Sequence, residues 1–207
     1  MRGCHRPVGS VSQQLLNQII EMILPIYAYG QPVLRQKAED IGPDYPGLTE
    51  LLENMWETMY HADGVGLAAP QIGLPIRLFI VDTVQLQEKG KEVGEPLKQV
   101  FINARVLEEK GDPWSYEEGC LSIPDIRGDV ERLSQVRIRY QDEQFQEREA
   151  VFNSITARVI QHEYDHIEGM LFVERLKPIK KQMIRPRLES IRKGKVKADY
   201  KLKFVKP

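Results

Sequence analysis

The residues best suited to chemistry are two histidines and a glutamate in residues 161–166, Gln-His-Glu-Tyr-Asp-His. His162 and His166 are four residues apart, so on an α-helix of about 3.6 residues per turn their side chains share one face. That spacing allows two imidazoles to bind one metal ion, and the neighbouring Glu163 can transfer protons to and from water. Two imidazoles do not complete a metal site, so another part of the chain must supply a third ligand.

Cys120 is the preferred candidate for the third ligand. No histidine follows His166, and Glu174 lies too close to the motif for a ligand that normally comes from a separate helix. Cys120 lies upstream in an uncharged turn between Gly119 and Leu121, and a thiolate is a strong ligand for a borderline metal. Two alternatives remain open, since a lone cysteine is often a small buried hydrophobe and can also be a nucleophile paired with a histidine.

The composition is that of an ordinary globular protein. The chain has 207 residues, of which 42% are hydrophobic and 29% charged, enough for one domain with a real core. No apolar run approaches the ~20 residues that span a bilayer, so we expect no membrane partner. Two cysteines do not make a disulfide framework, which favours a reducing cytoplasm.

The elements that must position the motif can be read from periodicity and turn residues. Apolar spacing predicts a core helix over 48–61, and Asn153 or Ser154 can cap the helix through the motif, with Gly169 ending it. β-Branched and aromatic residues predict strands. These strands cover 76–82, 99–107 and 133–140, and the last residues form an edge strand. Residues 85–98 are predicted to be a mobile loop, and residues 117–124 to interrupt a strand-like region.

These elements predict an α+β fold, with antiparallel or mixed sheets packed around a central metal-binding helix. Residues 1–21 are interpreted as an N-terminal extension, disordered or added before a natural start at Met22, and 22–207 as one catalytic domain. Thirteen Lys/Arg and two acids in residues 175–207 give a basic tail on an acidic body. Pro178 and Gly194 bracket a basic C-terminal helix over about 178–193.

Three stretches together carry a resemblance to a known family. They are Gly-Val-Gly-Leu-Ala-Ala-Pro-Gln at 64–71, Glu-Gly-Cys-Leu-Ser-Ile-Pro at 118–124 and Gln-His-Glu-Tyr-Asp-His at 161–166. In this order and at these separations they resemble the three motifs of peptide deformylase. The resemblance implies a metal-dependent hydrolase that removes the formyl group from the initiator methionine of new polypeptides.

The resemblance also implies residue roles. Cys120, His162 and His166 would be the metal ligands, and Glu163 would move the proton from water to the leaving amine. The Gln71 side-chain amide and the Leu121 backbone N–H would stabilise the oxyanion. The remaining positions would contact substrate: Gly66 and Gly119 through the peptide backbone, Val65 and Val159 near the methionine side chain, and Arg127 near the peptide chain.

The implied cofactor is one divalent metal ion, Fe²⁺ in the cell, with Ni²⁺, Co²⁺ or Zn²⁺ able to substitute. Arg158 is a mild departure from the family pattern, since several relatives have an apolar residue there, and this leaves the width and polarity of the methionine pocket open. The implied substrates are N-formyl-Met nascent peptides. The basic tail is either a solvated face or a docking surface for ribosomal RNA. We expect a monomer.

Two other functions compete with this interpretation. A metallopeptidase of the His-Glu-x-x-His type would need a His or Glu as third ligand and would leave Cys120 without a role. A ribosome- or RNA-binding protein with a vestigial site would use the basic tail alone.

Overall fold

The computed structural model describes residues 22–205, so the predicted extension at 1–21 lies outside the described residues. The helices are α1 (Leu48–His61), α2 (Val84–Glu88), α3 (Ser154–Ile167) and α4 (Pro178–Arg192). The strands are β1 (Ile26–Tyr27), β2 (Gly66–Ala68), β3 (Leu78–Asp82), β4 (Lys98–Cys120), β5 (Ile123–Gln141), β6 (Glu147–Asn153) and β7 (Leu202–Lys203). Short 3-10 helices cover Pro32–Arg35, Ala69–Ile72 and Phe172–Glu174.

The main sheet is antiparallel, with strand order β2-β3-β4-β5-β6. Its long arm is the hairpin of β4 and β5, which turns at Leu121 and Ser122. The predicted strands at 99–107 and 133–140 are therefore too short, and residues 117–120 continue β4 rather than interrupt it. Register shifts between β4 and β5 explain the error, because each bulge breaks the apolar–polar alternation that marks a strand.

Helix α3 packs on this sheet through an apolar face. Ala157, Ile160 and Ile167 are fully buried against Phe101 and Ile138 of the sheet. Asn153 occupies the N-cap position, as predicted, although its side chain makes no capping hydrogen bond. Helix and sheet thereby bury a common core, which confirms the predicted α+β class.

Helix α1 packs over a second hydrophobic core, which contains the residues of β3 that alternate with those in the first core. Its bounds, Leu48–His61, equal the predicted 48–61, because the apolar residues recur at helical spacing. Met55 and Met59 are fully buried against strand residues such as Leu78 and Ile80. Gly47 begins the helix in the left-handed region, at φ 69°.

The C-terminal elements form a third cluster beside the hairpin. Helix α4 buries Ile184, Leu188 and Ile191 and exposes its basic residues. The predicted edge strand is β7, which pairs in parallel with β1 in a separate two-stranded sheet. In residues 22–205, no helix has the length and apolar character needed to cross a membrane.

Candidate metal centre

A sulfur and two ring nitrogens converge where the hairpin meets α3. Cys120 is the last residue of β4, and α3 carries His162 and His166 one turn apart. One ligand atom from each of the three lies within 4.8 Å of the others, with Cys120 Sγ 3.3 Å from His166 Nε2. The structure thus brings together the three residues that are predicted from the sequence to be metal ligands.

No other group of three His, Cys, Asp or Glu residues in the described part of the chain converges in this way. Glu174, the downstream acid near the motif, instead accepts a hydrogen bond from the Leu171 backbone N–H at 3.0 Å. A thiolate with two imidazoles is a donor set that suits borderline divalent metals such as Fe²⁺, Co²⁺, Ni²⁺ and Zn²⁺.

The two imidazoles are oriented differently. His162 Nδ1 lies 3.0 Å from Glu118 Oε2. The other ring nitrogen of His162, Nε2, is therefore the one that faces the sulfur of Cys120. Burial opposes a charge on His162, but hydrogen bonds to Cys120 and Glu118 outweigh it and raise its pKa well above the ordinary value. Burial and the nearby His162 lower the pKa of His166 well below the ordinary value. His166 is therefore a neutral ring with a lone pair available to a metal.

A buried ionic network supports His162 from behind. Arg132 donates Nε to Glu118 Oε1 at 2.7 Å and Nη2 to Glu118 Oε2 at 3.0 Å, and its Nη1 donates to Asp165 at 2.8 Å. Burial would raise the pKa of Glu118, but the hydrogen bonds from His162 and Arg132 prevail and hold it well below the ordinary value. Glu118 is thus an ionised acceptor that fixes the ring of His162.

The sequence reasoning missed this network. Glu118 was visible as the first residue of the 118–124 motif, but nothing in the local sequence pairs it with Arg132 or with Arg158 on α3. The one available signal was alternation, since Trp114, Tyr116 and Glu118 fall on one face of β4.

Glu163 lies beside the cluster in a buried position. Its Oε2 is buried and has no hydrogen-bond partner among residues 22–205. Burial raises the pKa of Glu163 to about 7. Gly66 makes this position possible, because a Cβ there would collide with the Glu163 carboxyl group. The carboxyl group is therefore held against the backbone of β2, with one oxygen free for a reactant.

Gln71 points its amide nitrogen at the same cluster. The Ala68 backbone N–H donates to Gln71 Oε1 at 2.8 Å, which fixes the orientation of the amide. Nε2 then lies 3.5 Å from Cys120 Sγ and 3.4 Å from Ser122 Oγ. Leu121 follows Cys120 in the hairpin turn, and its carbonyl accepts a hydrogen bond from the Tyr200 hydroxyl at 2.8 Å. The Gln71 amide nitrogen and Leu121 therefore both lie beside Cys120, at the end of the hairpin.

The predicted substrate residues are spread around this centre. Val65 and Val159 pack in the same apolar cluster, with Val159 buried and Val65 half-buried. Gly119 pairs with Arg127 across the hairpin, and Arg127 is exposed. A Cβ at Gly119 would make only ordinary contacts with Arg127, so sterics do not require a glycine at that position.

A family profile described as polypeptide deformylase matches residues 23–182. The chain is 53% identical over 190 residues to a peptide deformylase of Flavobacterium psychrophilum, covering 89% of this chain and 98% of that protein. It is 51% identical over 189 residues to one of Christiangramia forsetii, covering 88% and 96%.

Solved structures show the same fold. The peptide deformylase of Thermus thermophilus superposes with a TM-score of 0.74 at 38% identity, covering 84% of this chain and 99% of that chain. The peptide deformylase of Plasmodium falciparum gives a TM-score of 0.73 at 33% identity, covering 82% and 95%.

Proposed function

We propose, since the chain belongs to the polypeptide deformylase family, that Cys120, His162 and His166 are the ligands of its metal centre. The protein is an enzyme that removes the N-formyl group from newly made polypeptides, and formyl-Met nascent peptides are its substrates. A binding protein with a vestigial site is therefore not a sufficient account. The observation that carries the proposed ligand set is the approach of one sulfur and two ring nitrogens to within 4.8 Å.

The family is metal-dependent, and we propose Fe²⁺ as the ion in the cell, with Ni²⁺, Co²⁺ or Zn²⁺ able to replace it. The metal, when bound, would act as a Lewis acid and lower the pKa of the water bound to it toward ~7. The donor set supports a borderline ion because it combines one soft thiolate with two imidazoles. The hydrogen-bond distance between His162 Nδ1 and Glu118 Oε2 supports the same assignment, since a carboxylate on one ring nitrogen orients the other toward a metal.

Glu163 is the group that moves protons in this proposal. Its carboxylate takes a proton from the attacking water and delivers it to the nitrogen of the leaving amine. Burial raises its pKa to about 7, which suits a group that must both accept and donate near neutral pH. The free Oε2 is the atom that can carry the proton.

The Gln71 amide and the Leu121 backbone N–H stabilise the negative charge on the formyl oxygen. The fixed orientation of Gln71 supports this role, because a donor held in place before the reaction needs no reorganisation. A formyl group is the smallest acyl group, and crowding among Gly66, Gln71 and Leu121 would exclude an acetyl group. Loss of one such donor typically lowers the rate by about 10²–10³-fold.

The flanking residues bind the peptide. Val65 and Val159 provide an apolar wall for the methionine side chain, and their shared cluster supports this assignment. Gly66 and Gly119 allow the peptide backbone to approach as an added strand would. Arg127 is exposed beside Gly119 and can contact the passing peptide.

The domain organisation, location, oligomeric state and docking partner of the enzyme are also proposals. Residues 22–207 form one catalytic domain that acts in the cytoplasm as a monomer. Helix α4 docks on ribosomal RNA through its exposed lysines and arginines, where phosphate contacts give a salt-dependent affinity. Its narrow buried stripe is formed by Ile184, Leu188 and Ile191. Arg187 and Arg192 pair with Asp125 and Glu189, so Lys180, Lys181 and Arg185 are the exposed cations that support such contacts.

Formate release from a formyl-Met peptide, measured anaerobically together with bound metal, tests the assignment. Cys120→Ala is expected to lose both the stoichiometric metal and the activity, because the thiolate is one of three ligands. Cys4→Ala, which removes the other cysteine, is the matched control and should keep both. Full metal content in Cys120→Ala would refute the thiolate ligand.

A further inference from the structure

Arg158 is a buried arginine one helical turn before His162. Only 2% of its surface is exposed, although arginine is among the residues least often buried. Burial lowers its pKa, and the hydrogen bond to Glu118 opposes this effect. A charge this deeply buried is retained only where it has partners, so its contacts indicate its role.

The guanidinium of Arg158 bonds to both strands of the β4–β5 hairpin. Nη2 donates to the Trp114 carbonyl at 2.7 Å on β4, and Nη1 donates to the Val130 carbonyl at 2.9 Å on β5. Nη1 also donates to Glu118 Oε1 at 3.1 Å, and the guanidinium carbon lies 4.5 Å from the centre of the Trp114 ring. One side chain of α3 thus contacts the hairpin at three separate residues.

Charge neutralisation does not explain this arrangement. Arg132 already binds both oxygens of Glu118 and also reaches Asp165. A second arginine adds little neutralisation there, but it adds two backbone contacts that Arg132 does not make. The planar fork of arginine suits several acceptors at fixed angles, which a lysine cannot match.

We propose that Arg158 is a positioning residue that fixes the hairpin carrying Cys120 and Glu118 against the helix carrying His162 and His166. The inference rests on the proposed metal centre and concerns the geometry of its ligands. The arginine directs its charge onto the hairpin, where its donors have partners.

Competition between the purified protein and a chelator for Co²⁺ tests the role of Arg158, with visible absorption of the Co²⁺ protein as a second readout. Arg158→Met keeps length and apolar contact but removes every donor. We expect its affinity for Co²⁺ to fall by about 10- to 100-fold, the range for residues that orient metal ligands. The absorption bands should shift as the Cys120 and His162 positions relax. Arg158→Lys should lie between Arg158→Met and the wild type.

Arg77→Met is the matched control. Arg77 is 1% exposed and packs near the C-terminal end of α3, where it donates to the Ala104 carbonyl at 2.6 Å and pairs with Glu168. Its loss also removes a buried guanidinium, so thermal stability should fall in both variants. Only Arg158→Met should change Co²⁺ affinity and absorption.

The outcomes separate the two proposals. Wild-type Co²⁺ affinity and absorption in Arg158→Met would overturn the positioning role and leave the metal centre standing. Failure of the wild type to bind one equivalent of Co²⁺, or unchanged Co²⁺ affinity in Cys120→Ala, would overturn the metal centre and the positioning role together. Should Arg158→Met not fold, Arg158→Lys decides: weaker Co²⁺ binding supports the role, and unchanged binding refutes it.

Discussion

Helices α3 and α4 are almost equal in length and both carry many charges, yet they use them in opposite ways. Ten of the 14 residues of α3 are buried, against three of the 15 residues of α4. In α3 the buried charges, such as Arg158 and Asp165, bond to partners on the hairpin and beyond. In α4 the lysines and arginines face solvent. The same residue types therefore build a fixed site in one helix and a solvated face in the other.

The difference lies in what a substitution leaves behind. When a buried charge is removed, its partner stays in the protein interior without a counter-charge. When a surface charge is removed, water solvates the partner that remains. Effects on activity and stability should therefore decrease from α3 and its partners, through the buried stripe of α4, to the basic surface of α4.

The largest effect is expected at Glu163 of α3. Glu163→Gln preserves size but cannot accept a proton, so kcat should fall by about 10²–10⁴-fold. Formate release measures the loss, and an unchanged unfolding midpoint would show that the fold is intact. Activity close to that of the wild type would mean that another group handles the proton.

Glu118→Ala should have the largest effect on stability. It leaves Arg132 and Arg158 buried without their shared carboxylate, and breaking a buried pair in this way costs about 3–5 kcal/mol. Urea unfolding of the metal-free protein measures the change. Glu117→Ala, at the exposed neighbouring residue, is the control, and its change should stay within about 0.5 kcal/mol. Equal values for the two variants would contradict the network.

The buried stripe of α4 should give an intermediate effect. Ile191 is fully buried, so Ile191→Val removes one packed methylene and should lower the free energy of unfolding by about 0.5–1.5 kcal/mol. Because Ile191 belongs to the cluster beside the hairpin and not to the site, kcat should match that of the wild type. A large loss of kcat at constant stability would show that α4 is coupled to catalysis.

The smallest effect on stability is expected on the basic face of α4. Lys181→Ala combined with Arg185→Ala should change the free energy of unfolding by less than about 0.5 kcal/mol per site, since both residues are exposed. If the face docks on ribosomal RNA, the log–log salt slope of ribosome binding should drop by roughly 1 for each phosphate that the helix no longer touches. Co-sedimentation between ~50 and 200 mM salt measures the slope. Lys91→Ala, in an exposed loop, is the control, and salt-independent binding would reject docking.

The sequence was sufficient where chemistry and periodicity are local. The spacing of His162 and His166 follows from helix geometry, and the bounds of α1 follow from apolar periodicity. Cys120 emerged from the lack of any later histidine and from its uncharged turn, and the structure places its sulfur beside both rings.

Long-range pairing was outside the reach of the sequence. The β4–β5 hairpin spans residues 98–141, but its bulges hide the alternation, so only parts of the strands were predicted. Glu118, Arg132 and Arg158 come from three separate elements, and no local pattern indicates that they meet. From the sequence, Arg158 left the width and polarity of the methionine pocket open, because the direction of its side chain is set by tertiary contacts.

The parallel pairing of β1 with β7 has a consequence for how the enzyme is itself made. Tyr27 and Lys203 are 176 residues apart in the chain, an interval that takes about 10–35 s to synthesise. Tyr200, whose hydroxyl bonds the Leu121 carbonyl, leaves the ribosome at nearly the same moment. The turn that carries Cys120 therefore acquires this contact only once a segment 79 residues further along the chain has been synthesised.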